Sequence, residues 1–233
     1  MRLGRIQNNY TAEGFDLAAT QGMEFIEICC NYDEDAQKLI AAQDDVKAQI
    51  ARTGIDVSCV GRWNHHVQHD GAIDAENAQL YYDLLDTAIA LFRGLIDHAA
   101  GRIKIAIQNC NWNNFVVSPH DWDVVLGELP ELMIKFDASH AYNRGEDYLA
   151  QLSDYGERVA HVHIKGTTHA GKRHVDDPPA GMDDLNWPSQ FAILYARGYD
   201  GDLSIEPHSG AWIGERGDAG VRFTRDFIRK FMV

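Results

Sequence analysis

The chain has 233 residues, a length that suits one α/β barrel domain with a large buried core. Its hydrophobic fraction of 45% and charged fraction of 24% are ordinary values for a globular protein. The formal net charge of −14, with no compensating basic stripe, disfavours a nucleic acid or an anionic membrane surface as a partner.

The four cysteines indicate a reducing environment. Cys29, Cys30, Cys59 and Cys110 form no CxxC pair and lie in or beside apolar runs, which favours buried thiols. The N-terminus has no apolar signal-peptide core, and no apolar run approaches the roughly 18 residues of a membrane span. We therefore expect a cytoplasmic protein with no membrane partner.

Short apolar runs alternate with runs of helical spacing through the first sixty residues. Strands are predicted at 2–6, 25–30 and 55–60, and helices at 15–22 and 35–53. Glu27 lies inside the second strand, where a carboxylate is costly unless it is paired. We therefore expect Glu27 either to form a salt bridge in the core or to face the binding pocket.

The region that follows departs from this alternation. A loop with His65, His66 and His69 is either a metal or substrate element or a solvated polar loop. From residue 74 onwards, leucines and isoleucines keep helical spacing up to Gly101, although a further strand is expected within this region. This spacing predicts a helical stretch of roughly 25 residues, about twice the usual length.

The whole chain thus supplies seven predicted strands, whereas a closed (β/α)8 barrel has eight. An open edge in such a barrel leaves backbone groups unpaired. Either the barrel has lost its fourth βα unit around residues 88–95, or the sequence joins there across an absent segment. We favour the second interpretation, because deletion of an inner strand should be severe. In both cases the predicted fold is a single (β/α)8 TIM barrel domain, 1–233, without its fourth unit.

The alternation is regular from residue 103 to the end. Strands are predicted at 103–107, 132–136, 159–164 and 202–205, and helices at 119–129, 147–155, 188–197 and 220–231. Ser118 is the expected cap of the first of these helices, and Pro119 its first residue. The loop 166–187 carries Arg173 among other basic residues. It is either a lid that meets an anionic group of a substrate or a surface loop.

The last four predicted strands each end in groups that can bind a metal ion. These groups are Gln108 and Asn109, Asp137 and His140, His161 and His163, and Glu206 and His208, in chain order. The C-terminal ends of parallel strands meet at one end of an α/β barrel, which is where such folds carry their chemistry. We therefore expect a pocket whose oxygen and nitrogen donors suit a divalent cation.

Several of these residues have structural alternatives when taken singly. Asp137 could cap a helix or form a core salt bridge, and Glu206 could be structural. His161 and His163 share a face of their strand, so one of them could be a hydrogen-bonded core residue. His163 is the preferred ligand because it lies nearer the C-terminal end of the strand. The joint placement of these groups, rather than any one of them, favours a metal site.

The second half of the chain resembles the xylose isomerase-like barrel superfamily, the sugar phosphate isomerases and epimerases. The matching pieces are IAIQN at 105–109, KFDASH at 135–140, ERVAHVHIKG at 157–166 and GYDGDLSIE at 198–206. The likeness is good over residues 100–233 and loose before them. The order FDxSH, HVHxK and SIE is fairly specific to the superfamily but not to one substrate. The resemblance implies a (β/α)8 barrel that binds one divalent metal ion through two glutamates, an aspartate and a histidine.

Carried over by position, the implied metal ligands are Gln108, Asp137, His163 and Glu206. The resemblance also implies that His140 contacts the substrate. Gln108 departs from the family pattern, which has a glutamate there. An amide oxygen can coordinate a hard cation, but glutamine cannot act as a general base. A symmetric mechanism with two glutamate bases is therefore not expected.

A mechanism with one base remains open. Glu206 would take the proton alpha to a carbonyl, and a Mn, Mg or Zn ion would stabilise the enediolate. Lys165 or His140 would return a proton or polarise an oxygen. Further substrate contacts are predicted at His66, Glu27, Asn109, Arg173 and His208.

The resulting expectation is a metal-dependent isomerase or epimerase of a small sugar or keto-sugar, phosphorylated or not. A polyol dehydratase or lyase on the same barrel is one alternative, and a catalytically decayed sugar-binding protein is another, for which Gln108 is the main argument. A DNA-directed endonuclease of this barrel class is disfavoured by the net charge of −14. A homo-oligomer is compatible with the resemblance, since many barrels of this kind pair through their helices.

Overall fold

The computed structural model describes residues 1–62, 89, 92–110, 114 and 116–233. The strands are β1 (Arg2–Gln7), β2 (Phe25–Cys30), β3 (Asp56–Arg62), β4 (Ala106–Gln108), β5 (Met133–Asp137), β6 (Val159–Ile164), β7 (Thr168–Ala170), β8 (Arg173–Asp176) and β9 (Asp202–Ile205). The helices are α1 (Ala12–Thr20), α2 (Asp33–Ala41), α3 (Gln43–Thr53), α4 (92–99), α5 (Pro119–Glu128), α6 (Ala138–Asn143), α7 (Tyr148–Tyr155), α8 (Trp187–Ala196) and α9 (Gly214–Ile228). Short 3-10 turns follow α7 (Gly156–Arg158) and α9 (Arg229–Phe231).

Seven strands form one parallel sheet in the order β3-β2-β1-β9-β6-β5-β4, while β7 and β8 form a separate antiparallel hairpin. The sheet is curled into a barrel, as a contact between distant strands demonstrates. The ammonium group of Lys135 on β5 donates a hydrogen bond to Glu27 Oε1 on β2, although three strands separate β5 from β2 in the sheet. This contact therefore crosses the barrel interior.

In the described part of the chain, β3 and β4 are the two edge strands of the sheet. Between these strands the structure describes residues 89 and 92–105, and no strand occurs in them. The long helix predicted over 74–100 is represented by α4, and its earlier part lies outside the described residues, as do His65, His66 and His69. The fold is therefore the predicted TIM barrel, and the described residues between β3 and β4 contain no strand for the predicted fourth unit.

A strand occurs at each of the seven predicted places, although β4 begins at Ala106 and not at residue 103. Several other predictions were wrong in detail. The single helix predicted over 35–53 is two helices, because α3 starts anew after Ala42 with Asp44 and Asp45 in its first turn. Acidic residues stabilise a helix N-terminus, so they favour this restart. The loop 166–187 contains the hairpin, which turns at Gly171 with φ 66°. Helix α9 begins at Gly214, before the predicted start.

Apolar side chains on one face of the strands form the core under the helices. Leu3, Ile26, Phe136 and Leu203 are at most 1% exposed and belong to one cluster with helix residues such as Trp122. Side chains on the opposite face point into the barrel, and many of them are polar. Register pairs Lys135 with His161 and Asp137 with His163, so charged groups from neighbouring strands share this interior face.

Two sequence predictions concern the chain's environment. Within the described ranges, none of the helices combines the length and the apolar run that crossing a bilayer requires. No disulfide joins the four cysteines, all of which the structure describes, and Cys30 and Cys110 are buried.

Candidate metal centre

Three predicted ligands meet at the C-terminal ends of three neighbouring strands. Asp137 ends β5, His163 is near the end of β6, and Glu206 directly follows β9. His163 Nδ1 lies 3.0 Å from Glu206 Oε2 and 4.0 Å from Asp137 Oδ2. One ligand atom from each residue lies within 4.8 Å of those of the other two, a spacing that can hold a metal ion. Asp137 and His163 are buried, and Glu206 is partly exposed.

Asp137 divides its two carboxylate oxygens between two tasks. Oδ1 caps helix α6, accepting hydrogen bonds from Ser139 N at 2.9 Å and Ser139 Oγ at 2.7 Å. Oδ2 is buried, and no hydrogen bond from the described residues reaches it. An unsatisfied buried carboxylate oxygen is costly, and a bound cation would satisfy it.

Asn109 holds the backbone from which Asp137 projects. Its Nδ2 donates to the Asp137 carbonyl oxygen at 2.9 Å, and Asp137 N donates to Asn109 Oδ1 at 2.8 Å. Both hydrogen bonds are buried. Asn109, which was predicted to contact substrate, therefore joins the end of β4 to the end of β5 through two hydrogen bonds.

The charges around His163 favour its protonated form. Burial, the largest influence, lowers the pKa of His163, but the carboxylates of Glu27 and Glu206 outweigh it and raise this pKa to about 9. Burial would raise the pKa of Glu206, yet the charge and hydrogen bond of His163 lower it overall. Two carboxylates thus flank one imidazole, and the same negative charges would favour a divalent cation at Nδ1.

Lys165, which is buried, and His140, which is partly exposed, lie next to Asp137. Lys165 Nζ is 3.7 Å from Asp137 Oδ2 and 3.5 Å from His140 Nε2, which itself lies 3.4 Å from that oxygen. Burial lowers the pKa of His140 to about 4, so this imidazole is neutral at pH 7. Burial also lowers the pKa of Lys165, but Asp137 and Glu206 raise it overall, so Lys165 stays an ammonium.

Glu27 lies deeper in the barrel and has no exposed surface. Its Oε1 accepts from Lys135, while its Oε2 is 2.8 Å from His163 Nε2 and 3.2 Å from His161 Nε2. His161 Nε2 also lies 2.8 Å from Ser204 Oγ. Burial would raise the pKa of Glu27, but the charges of His163 and Lys135 lower it well below its ordinary range. Glu27 is thus a paired core carboxylate.

The remaining predicted residues are dispersed. Gln108 is half-buried, and its register partner is Lys135 rather than Asp137. Arg173 is exposed on β8 of the hairpin. His208 is exposed, and its Nδ1 lies 3.1 Å from an oxygen of Asp177. The predicted contact at His66 lies outside the described residues.

Sequence reasoning missed two members of this network. Lys135 occupies an apolar strand, so the cost argument applied to Glu27 also predicts a partner for this lysine. Asp177 follows the hairpin and pairs with two histidines: its oxygens lie 2.9 Å from His174 Nε2 and 3.1 Å from His208 Nδ1. No sequence spacing marked this second set, because it joins the hairpin to the segment after β9.

A family model described as a xylose isomerase-like TIM barrel matches residues 62–231. D-psicose 3-epimerase from Clostridium cellulolyticum H10, in a crystal structure with D-tagatose, aligns with a TM-score of 0.72 at 15% identity, covering 100% of this chain and 99% of that chain. A xylose isomerase domain protein from Alicyclobacillus acidocaldarius subsp. acidocaldarius aligns with a TM-score of 0.74 at 16% identity, covering 99% of this chain and 98% of that chain.

A dehydratase shares the same fold. A probable 3-DHS dehydratase involved in petrobactin synthesis, from Bacillus anthracis, aligns with a TM-score of 0.68 at 14% identity, covering 98% of this chain and 99% of that chain. No curated protein sequence matches the chain. At these identities, the structural likeness establishes the fold and not the reaction.

Proposed function

The chain belongs to the xylose isomerase-like TIM barrel family, and from this premise we propose that it is a metal-dependent isomerase or epimerase of a small sugar or keto-sugar. The observation that carries this proposal is the convergence of Asp137, His163 and Glu206, whose ligand atoms lie within 4.8 Å of one another. A substrate of this class also fits the structural relatives, which include a D-psicose 3-epimerase.

The donor set fits one divalent metal ion. Two carboxylates and one imidazole are hard or borderline ligands that suit Mn²⁺, Mg²⁺ or Zn²⁺. The buried Asp137 Oδ2, which accepts no hydrogen bond from the described residues, supports this fit. We assign Gln108 as a fourth ligand through its amide oxygen. When bound, the ion would supply Lewis acidity to a substrate carbonyl.

Glu206 is the proposed general base. Its lowered pKa keeps it a carboxylate at neutral pH, ready to accept the proton alpha to the substrate carbonyl. Lys165 is the proposed acid, because it remains an ammonium and lies beside His140. It would return a proton to the neighbouring carbon or oxygen, and the two groups would then exchange protons with water. Neutral His140 would hydrogen-bond a substrate hydroxyl.

Substrate would enter beside Glu206, where a cleft is lined by Asp177, His208 and Trp212 among other residues. We assign His208 to a substrate hydroxyl, with Asp177 holding its ring. Arg173 on the hairpin would meet the distal end of the substrate. We place the enzyme in the reducing cytoplasm, a proposal supported by four cysteines without disulfides, all of them in the described part of the chain.

Dehydration is the second candidate reaction. The ammonium of Lys165 close to neutral His140 favours it, because an acid at this position could protonate a departing hydroxyl group. The base and the metal would serve both reactions. The two differ in outcome, since an isomerase conserves the mass of its substrate and a dehydratase releases water.

The test is a screen of keto-sugars and polyols with Mn²⁺ present, in which chromatography detects any new sugar and mass spectrometry gives its mass. We expect an isomeric product from the wild type and a loss of about 10² to 10⁴ in kcat for Glu206→Gln. Glu215→Gln, a first-turn residue of α9, removes the same charge on the surface and should retain activity. Retained activity in Glu206→Gln would exclude this residue as the base. A lighter product would favour the dehydratase. Sugar binding without turnover would favour a decayed site.

A further inference from the structure

We propose that Glu27 is a positioning residue that orients the ring of His163, so that its Nδ1 faces Asp137 and Glu206. This inference rests on the metal site of the proposed function and deepens it. It assigns Glu27 a task one step away from the ion, in place of direct contact with substrate. The observation behind it is a line of contacts from β2 through the imidazole to β9.

The two ring nitrogens of His163 point to different carboxylates. Nε2 lies 2.8 Å from Glu27 Oε2, and Nδ1 lies 3.0 Å from Glu206 Oε2. An ionised carboxylate only accepts hydrogen bonds, so both ring nitrogens carry a hydrogen in this structure, Nε2 towards Glu27 and Nδ1 towards Glu206. A metal ion bound at Nδ1 would displace the hydrogen that faces Glu206, whereas Nε2 would keep the hydrogen that faces Glu27. A carboxylate behind a metal-bound histidine fixes both tautomer and ring orientation in this manner.

Glu27 is itself held rigidly. Its Oε1 accepts from the Lys135 ammonium across the barrel interior, and its Oε2 also lies 3.2 Å from His161 Nε2. His161 in turn lies 2.8 Å from Ser204 Oγ. Because Glu27 has no exposed surface and both of its oxygens are engaged, a substrate cannot reach it without disrupting these contacts.

The same contacts argue against a second cation beside Glu27. Its carboxylate, the Cys59 thiol and the His161 ring bring ligand atoms within 4.8 Å of one another. The Lys135 ammonium, however, already neutralises this carboxylate. We therefore assign Glu27 and His161 to support the ligand group of Asp137, His163 and Glu206, and we expect one ion per chain.

The test removes the carboxylate together with its buried counter-charge, so that no unpaired charge remains in the core. In Glu27→Leu/Lys135→Met, His163 loses its acceptor. In Glu27→Gln/Lys135→Met, an amide oxygen can still accept from Nε2. Mn²⁺ affinity is measured from the electron paramagnetic resonance signal of free Mn²⁺, and folding is checked by circular dichroism. Glu24→Gln is the matched control. Glu24 directly precedes β2 and its Oε1 accepts a hydrogen bond from Leu3 N, which the amide oxygen of glutamine can also accept.

We expect Glu27→Leu/Lys135→Met to weaken Mn²⁺ binding by about 10- to 100-fold, Glu27→Gln/Lys135→Met to recover most of this loss, and Glu24→Gln to bind as the wild type does. Wild-type affinity in the folded Leu/Met variant would overturn the positioning role and leave the metal site intact. A wild type that binds no Mn²⁺ would instead overturn the proposed function, and this inference with it.

A second measurement on the wild type needs no variant. With diamagnetic Zn²⁺ bound, ring ¹⁵N chemical shifts report which nitrogen of His163 carries the hydrogen. The proposal predicts the hydrogen on Nε2. A hydrogen on Nδ1 would overturn the proposal even if the Leu/Met variant fails to fold.

Discussion

Asp137 shows how one residue can satisfy two interpretations that the sequence leaves as alternatives. A helix cap and a metal ligand both fit an aspartate that ends an apolar strand. The structure confirms the cap, which uses only Oδ1, at 2.9 Å from Ser139 N. The other oxygen remains directed to His163, Lys165 and His140. An aspartate that caps a helix with one carboxylate oxygen can therefore still bind a metal ion through the other oxygen.

Glu27 illustrates both the reach and the limit of sequence reasoning at a single residue. The cost of burying a carboxylate predicts either a salt bridge or a pocket-facing side chain, and the salt bridge to Lys135 is confirmed. The sequence could not identify the partner, because Lys135 is 108 positions away and the contact depends on the curling of the sheet. The contact between Glu27 and His163 depends on the same curling.

The proposed role of Gln108 as a metal ligand predicts how a substitution there changes Mn²⁺ affinity. If its amide oxygen is the fourth ligand, Gln108→Glu places a full negative charge on the ion, and Mn²⁺ binding should tighten by about tenfold or more. Two unit charges at 4 Å gain about 1 to 4 kcal/mol at effective dielectric constants of 80 to 20. The measurement is a Mn²⁺ titration of both proteins. Gln49→Glu adds the same charge on α3, a helix that supplies none of the proposed ligands, and serves as control.

An unchanged affinity in Gln108→Glu would contradict this assignment. The structure offers a specific reason for such a result, because Gln108 is in register with Lys135. A glutamate there could pair with that ammonium instead of the ion. The titration therefore tests which of the two cations the position 108 side chain faces.

At the scale of elements, the strands were the most predictable part. Runs such as 132–136 and 159–164 are apolar on the outer face and carry isolated polar residues on the inner one, a pattern that survives small shifts of the strand ends. The break between α2 and α3 was not predicted because Ala42 favours a helix and no glycine or proline marks the site. The hairpin was missed because its strands are only three and four residues long.

Asp183, in the segment after the hairpin, predicts a dependence of stability on pH. Burial raises the pKa of Asp183 to about 6, although Gly181 N and Trp187 Nε1 donate hydrogen bonds to it. A raised pKa means that the folded chain binds the proton more tightly than the unfolded chain does. This carboxyl group therefore contributes stability below about pH 4, and that contribution is lost as the pH rises towards 6.

Asp183→Asn removes the titration and keeps an oxygen that accepts both hydrogen bonds. Relative to the wild type, its free energy of unfolding should be unchanged at pH 4 and higher by about 1 to 3 kcal/mol above pH 6.5. Urea unfolding at the two pH values measures this difference. A constant difference at both pH values would contradict a raised pKa for Asp183.

At the scale of the whole molecule, the three converging ligands lie on consecutive strands of the sheet, β5, β6 and β9. The edge strands of the described sheet are β3 and β4, and of the predicted ligands only Gln108 lies on one of them. The core of the candidate site therefore lies away from the region in which the described residues supply no fourth strand.

Metal binding is the most direct test of the proposed metal centre. Elemental analysis and Mn²⁺ titration of the purified wild type should give one divalent ion per chain. Asp137→Asn removes the charge at Oδ2, while its amide oxygen can still cap α6. We therefore expect its affinity for the ion to fall at least 10-fold. Asp147→Asn makes the same change at the cap of α7, which accepts from Leu149 N and Ala150 N, and should bind as the wild type does. A wild type without metal after incubation with excess Mn²⁺ or Zn²⁺, or full binding in Asp137→Asn, would contradict a metal centre at Asp137, His163 and Glu206.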